Sequence, residues 1–318
     1  MAAMTDGLSE PTDKSIAENE AATPDGARPY RARVVDFAII LKPRVMSLVI
    51  FVGLVGLLLA PGTIAPWTGA VAVACISLAA GASGAINMWY DRDIDLNMGR
   101  TRDRPIPAGR MAPGHALIMG VILSVASIVT MALVVNYMAA GLLALTVLYY
   151  VFIYTVWLKR RTPHNIVIGG AAGALPPVIG WAAVTGTVSI ESLSLFAIIF
   201  LWTPPHSWAL ALFSNEDYTR AGVPILPVVA GTRETKKQIG IYTALMIGAT
   251  YAPVIIGLSG VVYGAAATVL GAGFVRHALR VWRDETDKAA RPMFGYSILY
   301  LFMIFAFLLI DRAVPFAL

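Results

Sequence analysis

Between Asn87 and Arg110 the chain reads NMWYDRDIDLNMGRTRDRPIPAGR, placing four carboxylates and five arginines where a long apolar segment meets water. Asn87, Asp91 and Asp95 recur every four residues, so on a continuing helix each lies about 40° from the last and all three face one way. Asp93 points elsewhere. A row of hard oxygen ligands suits Mg²⁺, which takes one or two protein carboxylates and completes its octahedron with water and phosphate oxygens. Asn87 lies inside the apolar run, where an unpaired amide is costly and signals function. The arginines that follow, Arg100, Arg102, Arg104 and Arg110, are of the type that grips phosphate through planar, paired hydrogen bonds. Together these residues predict a Mg²⁺-dependent diphosphate site.

A second acidic group, Asn215, Glu216, Asp217 and Tyr218, opens the stretch NEDYTRAGVPILPVV. It falls on the same side of the membrane as the first, so a second metal could bridge the two across one diphosphate. Asp217 is the stronger ligand by this reading and Glu216 the weaker, with Arg220 within reach of phosphate.

The elements that must carry these residues follow from composition. Of 318 residues, 58% are hydrophobic and only 14% charged, too apolar for an ordinary soluble domain. Nine apolar runs of about 20 residues, the length that crosses a bilayer core, fall near 37–60, 66–90, 114–135, 138–157, 166–187, 191–212, 239–258, 260–280 and 293–311. The expectation is an all-α integral membrane protein of nine transmembrane helices over 34–318, preceded by a polar, disordered tail over 1–33. The net charge of +5 raises the question of a nucleic-acid partner, and its placement answers it. All lysines and arginines but Arg312 lie at or before the start of the first helix or in the connections after helices two, four, six and eight. The positive-inside rule then puts the N-terminus, and the acidic loops with it, in the cytoplasm. The charge reports topology and no nucleic acid. The tail holds Asp6, Glu10, Asp13, Glu18, Glu20 and Asp25, unlike an acid-poor organellar presequence, which favours a bacterial inner membrane. Cys75, the one cysteine, excludes a disulfide within the chain.

The Asn-x-x-x-Asp-x-x-x-Asp row, the Arg-Pro run after it, Lys42-Pro43-Arg44 before the first helix and the second acidic loop resemble the UbiA-type intramembrane prenyltransferases. Within that family RTRDRPIPAGR, TPHNIVIGGAAGALPPVIGW, TPPHSWALAL and DYTRAGVPILPV are similar to the haem-farnesylating branch, over about residues 35–310. The resemblance implies a nine-helix bundle around a cavity open to lipid, farnesyl diphosphate as donor and haem b as acceptor. It also implies an association with haem A synthase or oxidase assembly proteins. It adds Lys42, Arg44 and Asn165 to the substrate-binding residues. Metal and arginines would stabilise the departing diphosphate while a dry cavity protects the allylic cation. Tyr150 and Tyr154, one turn apart, together with Trp89, Tyr90, Trp202 and Trp208, offer aromatic faces to that cation. Histidine is the natural haem ligand. His206, inside the sixth helix, is the first choice, and His164, at the entry of the fifth, the second. The sequence departs from the family pattern at Ala221, where many relatives carry the second Asp of the second motif.

Three rival readings remain at this stage: a sister prenyltransferase with an aromatic or quinone-precursor acceptor, a membrane transporter, and a haem-handling assembly factor without catalysis. One-sided clustering of the polar residues argues against a transporter, whose polar path must cross both leaflets.

Overall fold

The computed structural model describes residues 30–314. The tail expected over residues 1–33 thus lies, but for its last residues, outside the described part. Among the described residues every regular element is helical.

The first rod is broken. A short α1 (Val34–Ile40) meets α2 (Pro43–Leu59) at 52°. Lys42 forms the joint in a left-handed conformation with φ 54° and ψ 55°, which costs a non-glycine residue about 1–3 kcal/mol. Pro43 removes the amide that would continue the helix and, at the first helical position of α2, starts the next one. The same device opens α3 (Pro66–Tyr90) and α5 (Pro113–Thr130). Two glycines of α3 make room for the bend. A Cβ on Gly81 would lie 3.2 Å from the Leu41 carbonyl oxygen, and one on Gly84 would lie 3.3 Å from Lys42 Cδ.

After α3 comes the one-turn α4 (Arg92–Leu96). Helix α5 runs on into a π-helical turn, π1 (Met131–Val135), and α6 (Tyr137–Leu148) into a second, π2 (Tyr149–Leu158). The fifth rod is α7 (Asn165–Ala174) and α8 (Pro176–Thr185), divided at Pro176; α9 (Ile190–Phe213) is the sixth. The short α10 (Asn215–Arg220) leads to α11 (Leu226–Thr250) and α12 (Ala252–Ile255), then α13 (Val261–Arg283) and α14 (Ala290–Ala313).

Each of the nine apolar stretches thus becomes a helical rod, yet only seven are long and apolar enough to cross a membrane, or eight with the bent α1–α2 pair counted as one span. The exception is α13. Arg276, His277, Arg280 and Arg283 fill its last turns, so its apolar length is shorter than its helical length.

Packing relies on small residues where backbones touch. A Cβ on Gly56 of α2 would fall 2.1 Å from the Pro177 carbonyl oxygen of α8, and one on Gly180 would fall 2.1 Å from the Gly53 carbonyl oxygen. Without a hydrophobic drive between helices in lipid, such close approach is what van der Waals association requires. At the end far from the acidic loops, the buried Asp311 of α14 accepts from Ser259 Oγ (2.8 Å) and from the amides of Gly260 (2.5 Å) and Tyr263 (3.0 Å). It caps the orphan amides that begin α13, tying the last two rods together.

Candidate active site

The helical register survives the end of α3. Asp91 donates its amide to the Asn87 carbonyl (2.9 Å) and Asp95 to the Asp91 carbonyl (2.8 Å), so the three side chains stay on one face across the junction with α4. All three are buried, at 5%, 1% and 3% exposure for Asn87, Asp91 and Asp95. Asn87 Nδ2 donates to Asp91 Oδ2 (2.6 Å) and to Thr155 Oγ1 (3.2 Å), while its Oδ1 accepts from Lys42 Nζ (3.3 Å). The strained Lys42 joint therefore delivers an ammonium to the start of the row.

Each carboxylate has a cation. Lys159 is hydrogen-bonded to Asp91 Oδ2, and Arg104 Nη1 donates to Asp95 Oδ2 at 2.7 Å. Burial works against the Lys159 charge, but the Asp91 carboxylate overrules it and holds the ammonium above the ordinary lysine range. Asp93 faces outward, gripped by both amino groups of Arg160 at 2.7 Å, and that guanidinium holds its carboxyl below the usual range.

Lys159, Arg160 and Thr155 are the functional residues that sequence reasoning missed. Their basic run was fully explained by topology, and α-helical periodicity hid the rest. At 100° per residue the nine residues from Tyr150 to Lys159 turn about 900°, which puts the two on opposite faces. In π2 the chain bonds i to i+5; the Lys159 amide donates to the Tyr154 carbonyl at 2.9 Å. This looser winding brings Tyr150, Tyr154 and Lys159 to one side, where all three line the same cavity. The tyrosine rings lie 5.2 Å apart. Gly169 of α7 makes their position possible, since a Cβ there would fall 2.2 Å from Tyr154 Cδ2.

The cavity has a volume of about 190 Å³ and is lined by Lys42, Asn87, Asp95, Arg100, Arg104, Tyr150, Tyr154, Lys159, Asn165 and Tyr218, with Met98, Ile166, Val223 and Ile225. Four basic side chains face one carboxylate, an imbalance that an anion would correct. A larger groove of about 670 Å³ between α2 and α3 is lined by apolar side chains and Ser77. It carries no titratable group, so the chemistry belongs to the smaller cavity.

Other expected residues are placed elsewhere. Arg110 braces the bundle, donating to Asp36 Oδ1 (2.9 Å) and the Asp103 carbonyl (3.0 Å). Arg44, Arg102, His164 and Glu216 are exposed and do not line the cavity. Asp217 accepts from the Gly99 amide (3.2 Å) and pairs with Arg220. Burial raises its pKa, but the amide and the guanidinium overrule that and keep it low. The second acidic loop is thereby fastened to the turn that carries Arg100, and its Tyr218 reaches the cavity wall. His206 is part-buried among Trp202, Phe294 and Ser297.

The fit to Mg²⁺ rests on one atom. Asp91 Oδ1 is buried and has no hydrogen-bond partner among the described residues, with Arg160 Nη2 3.7 Å away. A buried anionic oxygen left open is what a hard cation requires. The described residues form no cluster of three or more His, Cys, Asp or Glu able to hold a metal, and Mg²⁺ needs none when phosphate and water complete its shell.

The chain and its fold also match known proteins. Residues 49–307 match the sequence profile of the UbiA prenyltransferase family. A protoheme IX farnesyltransferase of Parvibaculum lavamentivorans is 55% identical, over 94% of both chains. Another, of Granulibacter bethesdensis, is 54% identical over 90% of this chain and 93% of its own. Among solved structures, a UbiA homolog from Archaeoglobus fulgidus bound to DMAPP and Mg²⁺ superposes with a TM-score of 0.65 at 16% identity, covering 86% of this chain and 99% of that one. An apo UbiA homolog from Aeropyrum pernix gives 0.68 at 19%, covering 85% and 98%. These two show a shared fold.

Proposed function

We propose, from the premise that this chain belongs to the UbiA prenyltransferase family, that it transfers the farnesyl group of farnesyl diphosphate to a vinyl group of haem b (protoheme IX), forming haem O and diphosphate. The observation that carries the donor half is the cavity in which Lys42, Arg100, Arg104 and Lys159 converge beside the buried Asn87–Asp91–Asp95 row. The acceptor half is supported by identity of 54–55%, over nearly the whole chain, to two proteins named protoheme IX farnesyltransferase.

Asp91 and Asp95, with Asn87, are the residues that would hold Mg²⁺, whose charge stabilises the diphosphate as it leaves. Asp217, beside the turn that carries Arg100, is the ligand proposed for a second ion; Glu216, exposed and off the cavity, is not. The four cations bind phosphate oxygens and fix the donor's orientation; Asn165, on the cavity wall, helps to seat it. Tyr150 and Tyr154 present aromatic faces to the allylic cation and exclude water while it forms. The C1–O bond of the donor breaks with its electron pair on diphosphate, and the vinyl π electrons form the new carbon–carbon bond. Water then adds at the remaining cationic carbon and loses a proton, leaving a hydroxyethylfarnesyl group.

The distribution of basic residues supports a cytoplasmic face for this cavity, and the acidic N-terminal tail supports a bacterial inner membrane. The same reading extends to an association in the membrane with haem A synthase or oxidase assembly proteins, which co-purification tests. The deciding experiment is incubation of the purified chain with Mg²⁺, farnesyl diphosphate and either haem b or 4-hydroxybenzoate, read by mass spectrometry. Haem O is the expected product; prenylation of 4-hydroxybenzoate with no haem product would replace this function by its sister reaction.

A further inference from the structure

We propose that the outward face of α13 holds an anionic phospholipid, its acyl chains along Ala265, Val269 and Ala272 and its phosphate among Arg276, Arg280 and Arg283. All six residues are exposed, and steps of three or four residues at 100° each keep them within about 80° of one another around the helix. Tyr263, Ala267, Phe274 and Val281 are buried on the opposite side, which packs against α11 and α14. One lipid-facing stripe thus begins apolar and ends in three arginines. Beside it runs a second exposed stripe, Val275, Leu279 and Trp282, which sets an aromatic anchor at the level where headgroups begin.

Depth makes the arginines demanding. Asp311 caps the other end of α13 at Gly260 and Tyr263, and from Val261 to Arg276 the helix rises only about 22 Å. A hydrocarbon core is roughly 30 Å thick, so the Arg276 backbone stands about 8 Å inside it, and any tilt deepens the deficit. Arginine can reach toward water along its own stem, but here the Cα–Cβ bonds tilt toward the helix N-terminus, back into the apolar layer. A charge held at that depth needs an anion. The protein supplies none, because none of the three guanidiniums forms an ion pair among the described residues. The carboxylates at this end are engaged or lie beyond it. Asp284 accepts from the Thr286 and Ala289 amides, Asp287 pairs with Lys236, and Glu285 is exposed in the turn after the helix.

Two general tendencies place basic residues at this end without a ligand, and neither explains the stripe. Positive-inside bias is satisfied by residues in water, and the helix dipole favours cations only in the last turn, which Arg276 precedes. A phospholipid meets every requirement of the stripe together. Its chains cover the apolar part, and its phosphate accepts paired hydrogen bonds from guanidinium. A zwitterionic lipid brings an ammonium with its phosphate and leaves the arginine charge uncompensated, so the class is anionic.

The test is native mass spectrometry of the delipidated full chain, titrated with phosphatidylglycerol or with phosphatidylcholine of the same acyl chains. We expect tighter binding of phosphatidylglycerol. That preference should fall about 5-fold in Arg280→Gln, and on the order of 100-fold when Arg276→Gln, Arg280→Gln and Arg283→Gln are combined. A control combining Arg31→Gln, Arg102→Gln and Arg161→Gln removes the same charge from exposed positions elsewhere and should keep the preference. Three results would each overturn the proposal: equal affinity for the two lipids in the wild type, an equal loss in the control, or an unchanged preference in the triple variant. Should the triple variant fail to fold, an unchanged preference in Arg280→Gln decides in its place.

Discussion

Asp91 is the residue at which electrostatics and chemistry meet. One oxygen is held by Asn87 and Lys159, and the other is buried and open. Asp91→Asn keeps the hydrogen bonds and removes the charge, so we expect turnover to fall by about 10²–10³-fold or more in a chain that still folds, at a stability cost of about 1–3 kcal/mol because Lys159 loses its counter-charge. Loss of the fold together with activity would show the row to be structural. Lys159→Met breaks the same pair from the other side, leaving a buried carboxylate without its partner and removing one of the cations proposed to bind diphosphate. Breaking a fully buried pair costs roughly 3–5 kcal/mol; Lys159 is 17% exposed and Arg160 stands 3.7 Å from Asp91, so about 1–3 kcal/mol is expected, measured by thermal or denaturant unfolding. Both changes concern residues that sequence showed unequally. The Asn87–Asp91–Asp95 row was legible because α-helical spacing holds across the junction of α3 and α4. Lys159 was not, because the spacing that unites it with Tyr150 and Tyr154 belongs to a π-helix, and no local pattern of residue types announces one.

Among the elements, the α1–α2 joint and the α13–α14 turn show backbone geometry put to opposite uses. Lys42 holds a left-handed conformation that a glycine would adopt without cost. Lys42→Gly should therefore raise unfolding stability, by up to about 1 kcal/mol, while weakening binding of inorganic pyrophosphate through loss of the ammonium. A variant that loses both would show that the lysine stem, packed on Gly84, matters more than the strain. At the α13–α14 turn, Asp284 accepts from the Ala289 amide (2.6 Å) and from the Thr286 amide (2.8 Å) and hydroxyl (2.7 Å). These bonds push its pKa down from 3.8 to about 2. Because the folded value lies below the unfolded one, the unfolded chain takes up the proton first. The stabilisation is complete above about pH 4 and is lost as pH falls toward 2. Faster hydrogen exchange at the Thr286 and Ala289 amides over that range is the expected signal, and a flat profile would contradict it. The sequence reading ran the first helix unbroken over 37–60, through Lys42 and Pro43, and so did not announce the bend, which depends on Gly81 and Gly84 of a helix about 40 residues away.

At the scale of the whole molecule, the charged loops gather at one end and the Asp311 cap marks the other. Cys75 is buried, so single cysteines placed at Arg102 and Ser259 can be labelled against a low background. Labelling from opposite sides of sealed vesicles is expected, with Arg102→Cys reacting from the cytoplasmic face; reaction of both from one side would refute the topology. Nine rods were readable as apolar runs, whereas the count of true spans was not, because a helix such as α13 can outlast its own apolar length. The cavity has a further consequence. Its volume of about 190 Å³ falls short of the roughly 300–1,000 Å³ of ordinary ligand pockets, so on the proposed assignment it has room for the diphosphate head alone. The isoprenoid tail and the porphyrin would then lodge outside it, among the apolar helices, and turnover would depend on the viscosity of the surrounding bilayer.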